Sequence, residues 1–410
     1  MSTLPEVRRT APVGERLDRL PPLRNPKLVA LAERLRYPLA VYAISRALYL
    51  LIAVADLLIR HGTLAGEVAN WDGKWYLKTV TSGYPETVLH MQTTLGFLPA
   101  YPGTMWIVGQ PFHAVGLNYH TSYILAGVIV SLLTGAVATV LIARLAERWW
   151  GVAAGRRAIL FFCLFPGSIV FSMIYTEGLL LALLAGAILA VERRRWLTAG
   201  ILAGIATAVG PVAVAIVPAF AVVALLEIRR HGWQDREARR ALLAPVLAPV
   251  GGVGFGAFLW IWTGSPFASY TTQGSKWGWQ ESTTPTAIPR QASALFRQIT
   301  HFTFHHPGVN LNFVSGLFGT VFLFYALWRL WHWRSAVSLV ALVWTLGVAV
   351  LTLTSANTPP NPRMLICAFP AVLVVGAEAQ GRRQKRLLWF TLAVTVGMSL
   401  GSFVGTGLRP

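Results

Sequence analysis

A six-residue segment at 71–76, with the sequence WDGKWY, places a carboxylate and a cation among aromatic rings. A carboxylate held beside aromatic residues at a membrane surface can take a proton from a substrate hydroxyl, as a general base does. Asp72 is therefore a candidate catalytic residue, and Trp71, Lys74 and Tyr76 are candidate substrate contacts. The alternative is a solvated loop carboxylate, or a helix N-cap, beside aromatic residues that anchor the chain at the interface.

A second carboxylate, Glu177, follows Tyr175 at the junction between two apolar stretches. Glu177 begins a predicted helix, where its negative charge suits the positive end of the helix dipole. Helix capping alone would account for this residue. The alternative is a second catalytic carboxylate, with Tyr175 as a neighbouring substrate contact.

Arg363 follows Asn361 and Pro362 just before another apolar stretch. Its guanidinium is a permanent cation with forked donors that match the oxygens of a phosphate group. We therefore predict that Arg363 contacts a substrate phosphate. The alternative is an arginine that simply lies at the membrane interface.

A long polar loop at 264–308 supplies three more candidate substrate contacts, Gln273, Lys276 and Trp277. Tryptophan rings in such a loop either stack on sugar rings or anchor the loop at the interface. The loop also carries three histidines without an acidic residue or cysteine nearby, so we predict no metal site there. Whether a divalent metal is needed stays open.

The composition shows what must hold these residues in place. Hydrophobic residues make up 55% of the 410 residues, charged residues make up 12%, and the mean hydropathy is +0.55. A soluble domain carries about 25% charged residues. The net charge of +19 arises from short basic clusters between apolar runs, which fix membrane topology and do not indicate nucleic-acid binding. The sequence therefore predicts an all-α polytopic membrane protein.

The apolar runs predict about eleven transmembrane helices, each near the ~20 residues needed to cross ~30 Å of hydrocarbon. Cys163 and Cys367 fall inside two of them and are interpreted as buried structural thiols. The predicted spans are 38–59, 122–143, 157–174, 177–191, 197–210, 211–228, 241–263, 309–330, 335–354, 364–379 and 387–405.

The apolar stretch 96–116 is excluded from these spans because of loop charge. Without it, the N-terminal tail and the basic loops share one side, which holds 26 of the 35 Lys and Arg residues, against eight on the other side. This pattern places the N-terminus in the cytoplasm of a cell-membrane protein. Three prolines interrupt 96–116, so we predict a re-entrant or interfacial pair of short helices.

The same pattern divides the chain into a basic cytoplasmic tail at 1–36, predicted to be largely disordered, and a transmembrane domain at 37–405. The tail has no apolar core of the kind a signal peptide carries. The two longest loops, 60–121 and 264–308, face the outside. The candidate site residues therefore belong to the extracytoplasmic face.

Several of these segments, taken in order, resemble the PIG-V-like mannosyltransferases, which include the second mannosyltransferase of glycosylphosphatidylinositol assembly and actinobacterial relatives. The resemblance covers about residues 40–380. Its motifs are Trp71-Asp72, Gly83-Tyr84, the run 97–102 (FLPAYP) with Tyr101, Phe165-Pro166, Tyr175-Thr176-Glu177 and the loop from Gln273 to Trp277.

This resemblance implies a GT-C-like helical bundle with juxtamembrane helices after the first outer loop. It also implies transfer of a sugar, usually mannose, from a polyprenyl-phosphate donor to a glycolipid or glycoprotein acceptor. The acidic residue of the family's first outer loop corresponds to Asp72, and a second acidic residue to Glu177. Tyr84 and Tyr101 are the matching candidate substrate contacts.

Two departures from the family pattern leave other functions open. Relatives often carry an arginine before the proline that here follows Gly210, and Trp-Gly-Arg where this chain has Trp277-Gly278-Trp279. Both missing arginines could have bound the donor phosphate. The alternatives are a transporter or flippase of lipid-linked sugar, or an inactive relative that binds glycolipid.

Overall fold

The computed structural model describes residues 26–61, 63–88, 90–275, 281–300, 310–356 and 358–403. Within these ranges the chain is built from helices, with one isolated antiparallel bridge between Thr283 and Ser355. The predicted all-helical fold is thus confirmed there. Contacts divide the chain into two units, Met1–Tyr37 and Pro38–Pro410. Lys276, Trp277 and the three loop histidines lie outside the described residues.

The first half of the chain alternates long helices with short ones. Short 3₁₀-helices form at Thr94–Gly96, Pro166–Ser172 and Pro211–Ala215. The α-helices of this half are α1 (Pro26–Arg60), α2 (Leu64–Val68), α3 (Asp72–Ser82), α4 (Ala100–Ala114), α5 (Tyr119–Leu164), α6 (Glu177–Glu192), α7 (Trp196–Thr207) and α8 (Ile216–His231).

The described residues of the second half form ten more α-helices. They are α9 (Arg236–Arg240), α10 (Leu243–Leu247), α11 (Val250–Thr263), α12 (Ala268–Gly274), α13 (Ala287–Thr300), α14 (Leu311–His332), α15 (Leu339–Thr354), α16 (Pro362–Cys367), α17 (Phe369–Glu378) and α18 (Gly381–Phe403).

Each of the eleven predicted spans overlaps at least one of these helices, but fewer stretches are long enough for a complete crossing. In the described part of the chain, five helical stretches have both the length and the hydropathy of a span. Three further apolar helices are shorter, and the pair Pro166–Ser172 and Glu177–Glu192 forms a stretch bent by 106°. The multi-pass membrane architecture is therefore supported, with several helices broken where proline and glycine interrupt them.

One such break produces the turn that carries Glu177. The predicted span 157–174 stays α-helical only to Leu164. Phe165 is extended (φ −61°, ψ 136°), and Pro166 follows it. Proline disfavours the helical conformation in the residue before it and has no N–H to continue the hydrogen-bond ladder. The chain then tightens into Pro166–Ser172 and turns sharply into α6. This redirection brings the α6 N-terminus to a helix junction.

The stretch 96–116 forms one helix, where we predicted a pair of short helices. Helix α4 has 15 residues and follows the short Thr94–Gly96 turn. At 1.5 Å per residue it is about 22 Å long, less than the ~30 Å of hydrocarbon. Pro102 lies in its first turn, where a helix leaves N–H groups unbonded in any case, so the proline does not break it.

Helix α1 begins at Pro26, inside the segment predicted to be a disordered tail. Proline suits the first turn of a helix because its φ angle is already helical. The residues that follow, KLVALAERLR, are mostly strong helix formers. Local propensity therefore extends the helix beyond the apolar span. Residues 1–25 lie outside the described part of the chain.

Arg46, a charged residue within the first predicted span, is buried against the Pro166–Ser172 turn. Its guanidinium donates to the Ser168 carbonyl, to Ser168 Oγ at 3.0 Å and to Ser172 Oγ at 3.1 Å. It also lies 4.7 Å from the centre of the Tyr49 ring. Carbonyl oxygens, hydroxyls and aromatic faces thus replace the water that a buried cation loses. Arg46 fastens α1 to the turn that precedes Glu177.

We expect Arg46→Ala to destabilise the protein, because buried oxygens that accept from the guanidinium would lose their donor. Each unsatisfied buried group costs about 1–3 kcal/mol. The melting temperature in detergent should fall by roughly 5 °C or more. Arg382→Ala, at an exposed arginine of α18, is the control and should leave it unchanged. An equal melting temperature for both variants would contradict a stabilising role for Arg46.

Candidate active site

Three charged side chains from distant parts of the sequence form one ion-paired cluster. Arg363 donates from Nη1 to Asp72 Oδ2 at 2.5 Å and from Nε to Glu177 Oε1 at 2.6 Å. The two carboxylates are thus joined by a single guanidinium. We call Asp72, Glu177 and Arg363 the charged triad; its formal charge is −1.

Each member of the charged triad lies at the start of a helix. Asp72 begins α3, Glu177 begins α6, and Arg363 is the second residue of α16. Asn361 caps α16 by accepting from the Met364 N–H. The Asp72 and Glu177 carboxylates therefore lie at the positive ends of the α3 and α6 dipoles. The predicted helix start at Glu177 is thus observed, and its role as a site residue stays a prediction.

Exposure differs sharply across the charged triad. The Glu177 side chain is 4% exposed, whereas Arg363 is 20% and Asp72 is 28% exposed. Among the described residues, Glu177 Oε2 is buried without a hydrogen-bond partner. The ion pair between Arg363 and Glu177 Oε1 therefore compensates the buried negative charge. Asp72 is the member most open to an incoming substrate.

Tyr175 packs against the charged triad. Its ring centre lies 4.7 Å from the Arg363 guanidinium carbon, and its hydroxyl accepts from the Asp72 N–H at 3.3 Å. A cation over an aromatic face is attracted by the ring's negative quadrupole. Burial lowers the pKa of Arg363, but the carboxylates of Glu177 and Asp72 outweigh it and hold that pKa above its ordinary value. Arg363 therefore stays a cation.

Two further tyrosines form the aromatic wall behind Tyr175. The Tyr76 ring meets Tyr175 and Tyr101 edge-on, with centroids 6.5 Å and 5.1 Å away. Burial raises the pKa of Tyr76, and the Asp72 charge adds to this effect, so its hydroxyl remains a donor. Tyr101 shares a 2.7 Å hydrogen bond with Ser131, which also accepts from the Tyr175 N–H. These contacts fix the position of Tyr175.

Two glycines permit the close approach of these segments. A Cβ on Gly167 would overlap the Pro362 carbonyl, and a Cβ on Gly73 would lie 3.3 Å from the Ile174 carbonyl oxygen. Gly167 lets the Pro166–Ser172 turn pack directly against the backbone that bears Arg363. Sequence reasoning missed Gly167 and Ser131. A small or polar residue in an apolar stretch was their only signal.

Two predicted substrate contacts, Tyr84 and Gln273, connect loops to one another. The Tyr84 hydroxyl donates to the Phe97 carbonyl at 2.8 Å, and its ring packs on Phe255. Gln273 Nε2 donates to the Gly96 carbonyl at 2.9 Å. Both residues therefore hold the segment 94–97 that leads into α4. A role for either in binding substrate stays a prediction.

Trp71 and Lys74 flank Asp72 but differ in their surroundings. Trp71 is half-buried and takes a left-handed backbone conformation (φ 54°), which a non-glycine residue adopts only at a cost. Lys74 is exposed and lies about 200° around α3 from Asp72, given 3.6 residues per turn. Lys74 thus points away from the charged triad, and its contact with substrate stays a prediction.

No group of three or more metal-ligating side chains occurs among the residues described. Within the charged triad, Arg363 provides the positive charge shared by the two carboxylates. This arrangement can accept a proton at Asp72 and present a cation to an anionic leaving group. It therefore suits displacement of a phosphate-linked substituent by a hydroxyl.

A family model, Glycosyltransferase family 87, matches residues 97–356. This range is more than half of the chain. The chain belongs to glycosyltransferase family 87. Glu177 lies inside the matched range, whereas Asp72 and Arg363 lie on either side of it. The family that matches is not the predicted PIG-V-like one, so that finer resemblance stays a prediction. A comparison with curated proteins finds no significant match.

Two solved structures match most of this chain at low sequence identity. ArnT from Cupriavidus metallidurans in the apo state is 16% identical, with 90% of this chain and 65% of that chain covered and a TM-score of 0.48. An oligosaccharyltransferase from Archaeoglobus fulgidus, tethered with an acceptor peptide, is 13% identical over 91% of this chain and 56% of that one, with a TM-score of 0.44. This family 87 chain thus spans 56–65% of the length of these relatives.

We expect Gly167→Ala to reduce the activity of this family 87 chain about tenfold or more. The added methyl must push Pro362 and Arg363 away, and a shift of about 1 Å would be costly if Arg363 belongs to the active site. Gly103→Ala is the matched control, because a Cβ there meets nothing within 4 Å. Initial rates of sugar transfer, with both variants folded by size-exclusion chromatography, would check this. Equal rates would show that the Gly167 contact does not position Arg363.

Proposed function

We propose that this chain is a membrane mannosyltransferase that transfers mannose from a polyprenyl-phosphate donor to a hydroxyl of a glycolipid or glycoprotein acceptor. The observation that carries the proposal is the charged triad, in which a partly exposed carboxylate and a cation lie side by side. Membership of glycosyltransferase family 87 supports sugar transfer over the transporter or flippase alternative. Mannose itself rests on the resemblance of the sequence motifs, which also supports a GT-C-like fold.

Topology supports a lipid-linked donor. All three members of the charged triad come from segments predicted to lie outside the cytoplasm, and they are in direct contact. Nucleotide sugars are not available on that face, whereas a polyprenyl-phosphate sugar delivers its headgroup at the interface. The apolar helices beside the charged triad provide the surroundings that a polyprenyl chain requires.

The proposed reaction is a single displacement at the anomeric carbon. The acceptor oxygen forms a bond to that carbon while the bond from the carbon to the phosphate oxygen breaks. The bonding electron pair leaves with the polyprenyl phosphate, and Asp72 takes the proton of the acceptor hydroxyl. Within the described chain, Asp72 accepts from Arg363 at Oδ2, which leaves Oδ1 as the atom for this proton.

Exposure within the charged triad favours inversion of configuration. A double displacement requires one carboxylate that attacks the anomeric carbon and a second acid–base group. Glu177 is only 4% exposed and is bound to Arg363, so Asp72 is the carboxylate that a sugar can reach. One accessible carboxylate suits a single displacement with Asp72 as the base.

Arg363 has one task before transfer and another during transfer. Before transfer it orients the Asp72 carboxylate, and during transfer it lies where it can stabilise the negative charge that develops on the leaving phosphate. Glu177 holds Nε of the same guanidinium, which fixes the direction of the remaining donors. Glu177 is thus a positioning residue in this proposal.

We expect Asp72→Asn to insert and fold normally but to lose about 10²- to 10⁴-fold in transfer rate, the usual contribution of a general base. The amide keeps the shape of the side chain but cannot take the proton. Glu86→Gln, at an exposed carboxylate of the same loop, is the control. The measurement is transfer of radiolabelled mannose from polyprenyl-phosphate mannose in membranes. Near-normal turnover by Asp72→Asn would remove this residue from the mechanism.

We expect Arg363→Lys to lose roughly tenfold or more in rate, because an ammonium cannot donate to Asp72 and Glu177 with the fixed geometry of a guanidinium. A lost charge-assisted hydrogen bond costs about 1.5–3 kcal/mol. The control is Arg290→Lys, which makes the same arginine-to-lysine change at an exposed residue of α13, away from the charged triad. If the two variants had equal rates in the same assay, the forked geometry of Arg363 would be irrelevant.

A further inference from the structure

A separate cavity of about 460 Å³ lies on the far side of α3 from the charged triad. Its volume is within the range of sites that hold small ligands or headgroups. The residues that line it come from the segment 63–69, from α3 and from the first turns of α5. They are Thr63, Ala65, Gly66, Ala69, Lys74, Leu77, Lys78, Thr81, His120 and Ile124.

Helical geometry separates this cavity from the charged triad. Residues 74, 77, 78 and 81 follow the i, i+3, i+4, i+7 spacing that defines one face of a helix. Asp72 and Tyr76 lie on the opposite face, where they contact Arg363 and Tyr175. The cavity is therefore about one helix diameter, ~10 Å, from Asp72. Lys74 and Asp72 therefore lie on opposite sides of α3.

The cavity carries positive charge without a compensating carboxylate among its lining residues. Lys74 and Lys78 are one turn apart on α3, and the Lys78 ammonium lies 5.1 Å from the centre of the Trp75 ring. His120 adds a ring nitrogen from the first turn of α5. Helix α5 runs from Tyr119 to a kink at Gly151, and its N-terminus presents the positive end of its dipole. The cavity is thus suited to an anion.

The remaining lining residues indicate what kind of anion fits. Ala65, Ala69, Leu77 and Ile124 make an apolar wall beside the two lysines. An inorganic ion gains nothing from that wall, whereas a lipid brings both a phosphate and an apolar chain. The Thr63 hydroxyl can donate to the polar part of a headgroup, whereas the Thr81 hydroxyl already donates to the Leu77 carbonyl at 2.9 Å.

We propose that this cavity binds the phosphate group of a membrane lipid, with Lys74 and Lys78 as its cationic contacts. The proposal does not depend on the transfer of mannose. It assigns Lys74 to a lipid site distinct from the charged triad. The lipid phosphate could belong to an anionic phospholipid or to a polyprenyl phosphate, and the experiment below separates these sources.

The test measures binding to the purified full-length protein in detergent by microscale thermophoresis. The probes are a short-chain phosphatidylglycerol, a short-chain polyprenyl phosphate, inorganic phosphate and an uncharged diacylglycerol. We expect at least one lipid phosphate to bind at least tenfold more tightly than inorganic phosphate and diacylglycerol. The probe that binds more tightly identifies the source.

Variants then assign binding to the cavity. The double change Lys74→Gln with Lys78→Gln should weaken lipid binding tenfold or more, while Lys74→Arg with Lys78→Arg should retain it. The control, Arg382→Gln with Lys385→Gln, removes two exposed cations from α18 and should leave affinity unchanged. Equal melting temperatures of all variants establish that the fold is intact.

Three results would overturn the proposal. These are unchanged lipid affinity in the Lys74 and Lys78 glutamine variant, tighter or equal binding of inorganic phosphate, and loss of affinity for every lipid phosphate in an Arg363→Gln variant. The last result would place the lipid at the charged triad. None of these readouts uses transfer activity, so a failure here is distinct from a failure of the proposed mannosyltransferase function.

Discussion

The shared guanidinium of Arg363 is the interaction on which the candidate site depends. It joins Asp72 and Glu177, which are separated by more than a hundred residues of sequence, at 2.5 and 2.6 Å. A buried carboxylate such as Glu177 is tolerated only when a cation compensates its charge. The same cation then has a second donor for Asp72. Burial of one carboxylate thus fixes the geometry of the other.

Much of this arrangement follows from local sequence features. Loop charge places 71–76, 175–177 and 361–363 on one predicted side, and the structure brings Asp72, Glu177 and Arg363 from these segments into contact. Helix starts at Asp72 and Glu177 follow from residues that suit the N-terminal end of a helix dipole. Membership of family 87 agrees with the predicted glycosyltransferase class but names a different family from the one that the motifs resemble.

Other features depend on contacts between distant segments, which a single sequence does not reveal. The Gly167 approach to Pro362 and the link from Ser131 to Tyr175 join residues far apart in the chain. Helix lengths also differ from the predicted spans, because proline and glycine break apolar runs that composition alone makes continuous. The direction in which Lys74 points could be derived only once the first residue of α3 was known. That helix begins directly after the strained Trp71.

A double-mutant cycle between Asp72→Asn and Glu177→Gln tests the central claim that these carboxylates act through one guanidinium. The measurement is the rate of mannose transfer for each single variant and for the double variant. Residues in one ion-pair network show coupling energies of about 0.5–3 kcal/mol, whereas independent sites add within about 0.5 kcal/mol. We predict that the double variant loses less activity than the product of the two single losses. Losses that multiply would contradict the account.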